Sequence, residues 1–165
     1  MSARWVVMGV SGSGKSSVGA ALAEALGVRF VEGDDYHCPA NIAKMRAGVP
    51  LTDADRAAWL SSLAAEISAA AVAGQGLVLS CSALRRRYRD RLRAADPGLR
   101  FAHIHGAREL FAQRMQARGS HFMPVALLDS QLAALEPLQP DEAGLTLDAQ
   151  DAPAELVAAI KKAAG

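Results

Sequence analysis

A chain of 165 residues, 51% hydrophobic, with 18 basic against 17 acidic side chains, is long enough for one compact domain with its own core. A formal charge of +1 excludes a disordered or broadly basic chain, and no apolar run approaches the roughly 20 residues of a membrane span. Cys38 and Cys81 lie too far apart for a zinc or redox motif and read as buried or half-buried free thiols in a reducing cytoplasm; Met1-Ser2-Ala3-Arg4 leaves no room for a signal peptide before the first apolar run.

Apolar runs alternate with helical patterns, which predicts βαβ units and a parallel sheet. The first strand is expected over Arg4 to Met8 and the first helix over Lys15 to Leu26, stopped at Gly27. A short strand, Arg29 to Glu32, runs into Gly33-Asp34-Asp35-Tyr36-His37, and Pro39 opens a helix through Ala47. Thr52 or Asp53 reads as the N-cap of a helix carrying Trp59, Leu60, Leu63 and Ile67, broken at Gly74-Gln75-Gly76. The buried strand Leu77 to Cys81 follows, and Ser82 is placed to cap a helix from Ala83 to Ala95, closed by Asp96-Pro97-Gly98. A fourth strand, Arg100 to His105, precedes a helix from Ala107 to Ala117 and the breaker-rich Arg118 to Pro124. A helix over Leu127 to Leu135, a weak strand from Gly144 to Asp148 and a terminal helix from Pro153 complete an α/β fold: five parallel strands with helices on both faces.

Between the first strand and helix, Gly9-Val10-Ser11-Gly12-Ser13-Gly14-Lys15-Ser16-Ser17 matches G-x-x-x-x-G-K-[ST], the phosphate-binding P-loop. Glycines let the backbone close on an anion. Successive N–H groups and the positive end of the next helix then face the phosphates, Lys15 reaches the β- and γ-phosphates, and the Ser16 hydroxyl is placed for Mg²⁺. The strand–loop–helix context makes this a nucleotide site rather than a Gly/Ser-rich turn.

Ligands of parallel α/β sheets bind beyond the carboxyl ends of the strands. There the second strand delivers Asp34, Asp35 and His37, and a carboxylate so placed can accept a hydroxyl proton or hold Mg²⁺ through water. The third strand ends in Ser80-Cys81-Ser82 without the Asp of an ordinary Walker B strand, so Asp34 is the best-placed carboxylate for the metal. In the six-arginine run from Arg85 to Arg93, helical periodicity puts Leu84, Tyr88 and Leu92 on one stripe against the sheet. Arg85, Arg86, Arg89 and Arg93 fall on a neighbouring arc, and Arg87 and Arg91 point away. One or two arginines near the helix start can grip an anionic substrate group in bidentate fashion. Arg114, Arg118 and His121 flank a Gly-containing segment suited to a lid over about 114–125, bringing charge to the phosphates and excluding water.

Taken together these residues resemble the gluconate kinase family of small P-loop kinases, relatives of shikimate and nucleoside-monophosphate kinases. The marks are the P-loop, Gly33-Asp34 with His37, Asn41-Ile42 with Lys44-Met45, Gly48 with Pro50-Leu51, and Asp53 with Asp55-Arg56 and Trp59-Leu60. Cys81-Ser82-Ala83-Leu84 with Tyr88-Arg89-Asp90, then His121-Phe122, Leu127-Leu128, Ser130-Gln131 and Leu135-Glu136, carry the most specific part. The resemblance implies a nucleoside-monophosphate-kinase-like fold with a small lid, ATP and Mg²⁺ as cofactors, and transfer of the γ-phosphoryl group to the terminal hydroxyl of D-gluconate. It implies Lys15, Asp34 and Arg118 as catalytic residues, with Asp34 binding substrate hydroxyls and acting as base. Arg56 and Arg89, by analogy with shikimate kinases, bind the carboxylate or hydroxyls, with His37 and Gln131 beside them. Arg114 lies near adenine, Arg118 near the phosphates, and Asp148 to Pro153 closes over the base. The same resemblance implies a homodimer, while cysteine usage, near-zero net charge and the short apolar runs lead to the expectation of a cytoplasmic protein with no nucleic-acid or membrane partner. Arg85-Arg86-Arg87 stands where the family often has lysines, which keeps the charge. The rival readings are another small-molecule kinase of this fold, such as a shikimate kinase, and a nucleic-acid-binding P-loop protein using the arginine-rich helix.

Overall fold

The computed structural model describes residues 3–117 and 124–164. Strands β1 (Arg4–Met8), β2 (Arg29–Glu32), β3 (Leu77–Ser80), β4 (Arg100–His105) and β5 (Gly144–Asp148) form one parallel sheet in the order β2-β3-β1-β4-β5. The P-loop strand is therefore central, with Val6 opposite Leu79 on one side and Phe101 on the other. The helices are α1 (Lys15–Leu26), α2 (Pro39–Arg46), α3 (Asp53–Val72), α4 (Arg86–Arg93), α5 (Arg108–Ala117), α6 (Ala126–Ala134) and α7 (Pro153–Ala164), with a single 3₁₀ turn at Gly33–Tyr36.

Alternation along the strands divides the core. Val7, Val78, Ala102 and Ile104 meet α1 through Val18 and Leu22, and α7 through Leu156 and Ile160. The opposite residues, Val6, Met8, Leu79 and Phe101, meet α3 through Trp59, Leu63 and Ile67, and α4 through Tyr88 and Leu92. Burial of these branched and aromatic side chains, each worth about 1.5–3 kcal/mol, fixes the helices and so aims their N-termini at one sheet edge.

Local signals act as expected at most boundaries. Gly27 ends α1 in the left-handed region (φ 67°), with its N–H and that of Val28 returning to the carbonyl of Ala23. Thr52 caps α3 in a reciprocal capping box with Asp55. The weak last strand is a half-exposed edge.

Two expectations need correction. The fourth helix begins at Arg86, not Ala83, and its N-cap is the extended residue Arg85, not Ser82. Ala83 has a φ of 46°, so the chain between β3 and α4 cannot be helical there and instead forms a wall of the site. Cys38 is exposed at the start of α2, whereas Cys81 is buried, which pushes its thiol up to about 12; both are free. No helix among the described residues is long and apolar enough to cross a membrane.

Candidate active site

The loop from Gly9 to Gly14 wraps the end of β1 into a cradle. A Cβ on Gly9 would come 2.6 Å from Ser13 Oγ, so the close turn requires glycine there. Gly12 and Gly14 have φ of 81° and 88°. Among the described residues no side chain caps α1 and the buried Ser13 hydroxyl has no partner, which suits these donors to an anion. Lys15 is buried at the same place. Arg114, from α5, braces the loop from behind: Nη1 approaches the carbonyls of Gly12 and Ser13 at 3.5 and 3.3 Å, while Nη2 donates to Ala149 O at 2.7 Å. A cavity of about 350 Å³ opens between this loop and Ala149, Asp151 and Pro153, where the base was expected. Arg118, His121 and half of the expected lid, residues 118–123, lie outside the described residues.

On the other side of the loop a cavity of about 240 Å³ is lined by Asp34, His37, Arg56, Arg85, Arg87 and Gln131. Asp34 is carried by the 3₁₀ turn after β2. A Cβ on the preceding Gly33 would stand 2.2 Å from Ser80 O, and Trp59 Nε1 donates to Gly33 O at 2.8 Å, so the peptide is held on both sides. Glu32 caps the turn, accepting from the Asp34 N–H and, at 2.7 Å, from Ser80 Oγ. Burial pushes the Asp34 carboxyl above its ordinary value; Lys15 opposes this, and Glu32 and Asp35 add to it.

His37 stacks on Trp59 with ring centroids 4.3 Å apart and planes 13° from parallel. Burial, with Arg56 adding to it, lowers its pKa to about 4, so the ring is neutral near pH 7. Arg56 donates through Nη1 to Leu51 O (2.7 Å) and Tyr88 Oη (3.2 Å) and lies over the Tyr88 ring. Its Nε and Nη2 have no partner among the described residues, which leaves one guanidinium edge for the cavity. Arg87 is paired with Asp53 at 2.6 Å, and Tyr88 Oη donates to the same carboxylate. Gln131 lines the cavity and also accepts the Ser11 N–H at 2.7 Å, joining this cavity to the phosphate loop.

Asp34, His37, Arg56 and Gln131 are thus brought together, and Arg89 is not. Arg89 is fully buried, bound to both carboxylate oxygens of Glu142 (2.7 and 3.0 Å) and to Ala83 O (2.8 Å), and it does not line the cavity. A direct ligand role for Arg89 is therefore corrected. Arg87, expected to point away, lines the cavity because its long side chain reaches from the first turn of α4 to Asp53 on α3. Glu32 escaped sequence reasoning. Its signal was a polar residue at the end of a strand, one place before the Gly-Asp step.

Among the described residues no three carboxylates, histidines or cysteines cluster as a metal cage. Mg²⁺ keeps waters and phosphate oxygens as most of its ligands, so a hydroxyl at Ser16 and a carboxylate at Asp34 fit that cation without a cage. The orphaned Ser13 hydroxyl, the uncapped α1 and the Gly9 cradle fit the phosphates it would accompany.

Comparison with known proteins gives the same direction. The AAA domain family matches residues 5–138. The gluconokinase of Gluconobacter oxydans is 52% identical over 137 residues, covering 83% of this chain and 77% of its own. A crystal structure of a gluconokinase from Sinorhizobium meliloti aligns with a TM-score of 0.88 at 46% identity, over 98% of this chain and 91% of that one. An unliganded sugar kinase from Janibacter superposes with a TM-score of 0.92 at 48% identity, over 96% and 92% of the two chains. A shared fold, a complete P-loop and this identity over most of both chains lead to one conclusion: the chain belongs to the gluconokinase family of P-loop kinases.

Proposed function

We propose that the protein phosphorylates D-gluconate at its terminal hydroxyl with ATP, giving 6-phospho-D-gluconate and ADP. The observation that carries this reading is the cavity beside the phosphate loop, with a carboxylate, Asp34, and a wall of arginines, Arg56, Arg85 and Arg87. A polyhydroxy acid needs both: an acceptor for the attacking hydroxyl proton and cations for the carboxylate.

The loop amides, the α1 N-terminus and Lys15 hold the β- and γ-phosphates. Asp34 orients the terminal hydroxyl and takes its proton as the new O–P bond forms and the bond from the γ-phosphorus to the β,γ-bridging oxygen breaks. The raised affinity of Asp34 for a proton suits it to that transfer. Arg56, with Arg85, holds the substrate carboxylate, His37 and Gln131 contact its hydroxyls, and Arg114 supports the adenine cavity. Arg118 supplies charge to the phosphoryl group from the lid. Ser16, and Asp34 through water, would hold Mg²⁺, which would supply neutralisation of phosphate charge. The reading includes one kinase domain acting as a cytoplasmic homodimer.

The nucleic-acid alternative loses its basic face. Arg85, Arg86, Arg87, Arg89 and Arg93 each have a carboxylate partner, and Arg91 binds Ser61 Oγ. ADP release measured with gluconate, shikimate and several nucleoside monophosphates side by side tests the reading. Stimulation by gluconate alone is expected, and its absence would overturn the proposal.

A further inference from the structure

Arg89 and Glu142 form the most deeply buried ion pair among the described residues, with both side chains at 0% exposure. Its further partners lie on the chain before α4, on α4 itself and on the segment before β5. Arg89 Nη1 donates to Ala83 O at 2.8 Å, Nη2 to Pro137 O at 3.4 Å, and Glu142 also accepts from Arg93 and from the Gln139 N–H. Ala83 is the sole non-glycine described residue at positive φ, 46°. That conformation is unfavourable for an L-residue with a Cβ, so something outside the residue must hold it. Two further bonds tie the same stretch to the same segment: the Glu136 N–H donates to Leu84 O at 2.7 Å, and Glu136 Oε1 accepts the Arg86 N–H at 2.8 Å. Ser82, Leu84 and Arg85, on either side of Ala83, line the acceptor cavity.

We infer that the Arg89–Glu142 pair is a positioning device for the acceptor site: by gripping the Ala83 carbonyl it holds Ser82 to Arg85 in the left-handed bend that forms the cavity wall. The pair sets affinity for the acid substrate without touching it. A buried pair of this kind is poor evidence for stability, since apolar replacements of similar volume often fold as well or better. The bend it imposes gives the pair a role other than stability. The guanidinium fork is needed because one group must serve a carboxylate and a peptide carbonyl together, which an ammonium cannot do in the same plane.

The inference rests on the reading of this cavity as the gluconate site, and the two fail differently. If wild-type protein shows no gluconate-dependent ADP release, the functional reading has failed. If wild type is active, the test is the double variant Arg89→Met with Glu142→Leu, which removes both charges together. The expected result is a gluconate KM raised about tenfold or more, an ATP KM within about twofold of wild type, and a cooperative thermal transition. Adding Ala83→Gly, for which the bend is unstrained, is expected to recover part of the gluconate KM. A folded double variant with unchanged gluconate KM, or an equal rise in both KM values that glycine does not relieve, overturns the inference. Should the double variant not fold, Glu142→Gln, which keeps the volume and an acceptor oxygen, is read in the same way: a selective rise in gluconate KM supports the inference, and unchanged values overturn it.

Discussion

The tightest backbone contact in the acceptor site gives the sharpest test. A methyl group on Gly33 would lie 2.2 Å from Ser80 O, 3.3 Å from Ser80 C and 3.4 Å from Cys81 Cα. All three are backbone atoms of the end of β3 and the residue after it, and β3 is held between β2 and β1, so they cannot retreat as a side chain would. Relief to the closest separation that real Cβ atoms show, 3.0 Å, requires the Gly33 peptide to move by about 0.8 Å. The movement also pulls against the bond from Trp59 Nε1, and the next residue is Asp34. Displacing a reacting group by about 1 Å costs on the order of 100-fold in turnover, so Gly33→Ala is expected to lose about that much of kcat/KM for gluconate. Overpacking of about 1–3 kcal/mol lowers Tm by roughly 5 °C while the protein remains folded at 25 °C. Steady-state ADP release at saturating ATP, with calorimetry on the same preparation, reads both numbers. A variant with wild-type kcat/KM for gluconate would refute the claim that Gly33 fixes the position of Asp34.

Lys15→Ala is expected to reduce kcat at least about 1000-fold with an unchanged far-UV spectrum, since it removes the buried cation of the phosphate loop; activity near wild type would remove Lys15 from that role. Because burial raises the Asp34 pKa, the acid limb of log kcat/KM against pH is expected above the range of a free aspartate, activity falling as pH drops through it. Asp34→Asn should abolish turnover, and a limb at the ordinary carboxylate pKa would contradict the assignment of Asp34 as base. Burial alone would raise Glu142, but bonds from Arg89, the Gln139 N–H and Arg93 bring it from 4.5 to about 2. A depressed acid stabilises the fold above its unfolded pKa, so its contribution is lost as pH falls from about 4.5 towards 2. Asp55, also about 2, titrates in the same window. The informative measurement is therefore the difference in Tm between wild type and Glu142→Gln, which should shrink across that window and would refute the pairing if it stayed constant.

The parts of the site legible in sequence are those whose requirements are local. The P-loop demands glycine at fixed backbone positions, and Gly9, Gly12 and Gly14 stand where those demands arise. The cap of α3 was legible to within one residue, as Thr52 or Asp53, and the structure makes it Thr52, whose capping partner Asp55 is only three residues away. Tyr88 and Leu92 were readable as one buried stripe from helical periodicity, whereas Leu84, expected on the same stripe, precedes α4 and is buried in the other half of the core. Arg89 was misread for the opposite reason. Its partner Glu142 is 53 residues distant, and a helical arc shared with Arg85, Arg86 and Arg93 gives no sign that one of four arginines is fully buried. The start of α4 was misplaced because nothing local marks Ala83 as left-handed; that conformation comes from tertiary bonds. The Gln131 bond to Ser11 spans 120 residues and was equally invisible, although Gln131 itself was singled out.

The brace that Arg114 lays across Gly12, Ser13 and Ala149 has a consequence for how the nucleotide is bound. The phosphate cradle is completed by the protein's own bonds before any anion arrives, so its loop entropy is surrendered during folding rather than at each encounter with ATP. Preorganisation of this kind leaves more of the phosphate interaction to appear as affinity. It also joins the phosphate loop to the loop that carries Ala149 through a single planar cation, so tension on either loop is felt at the other.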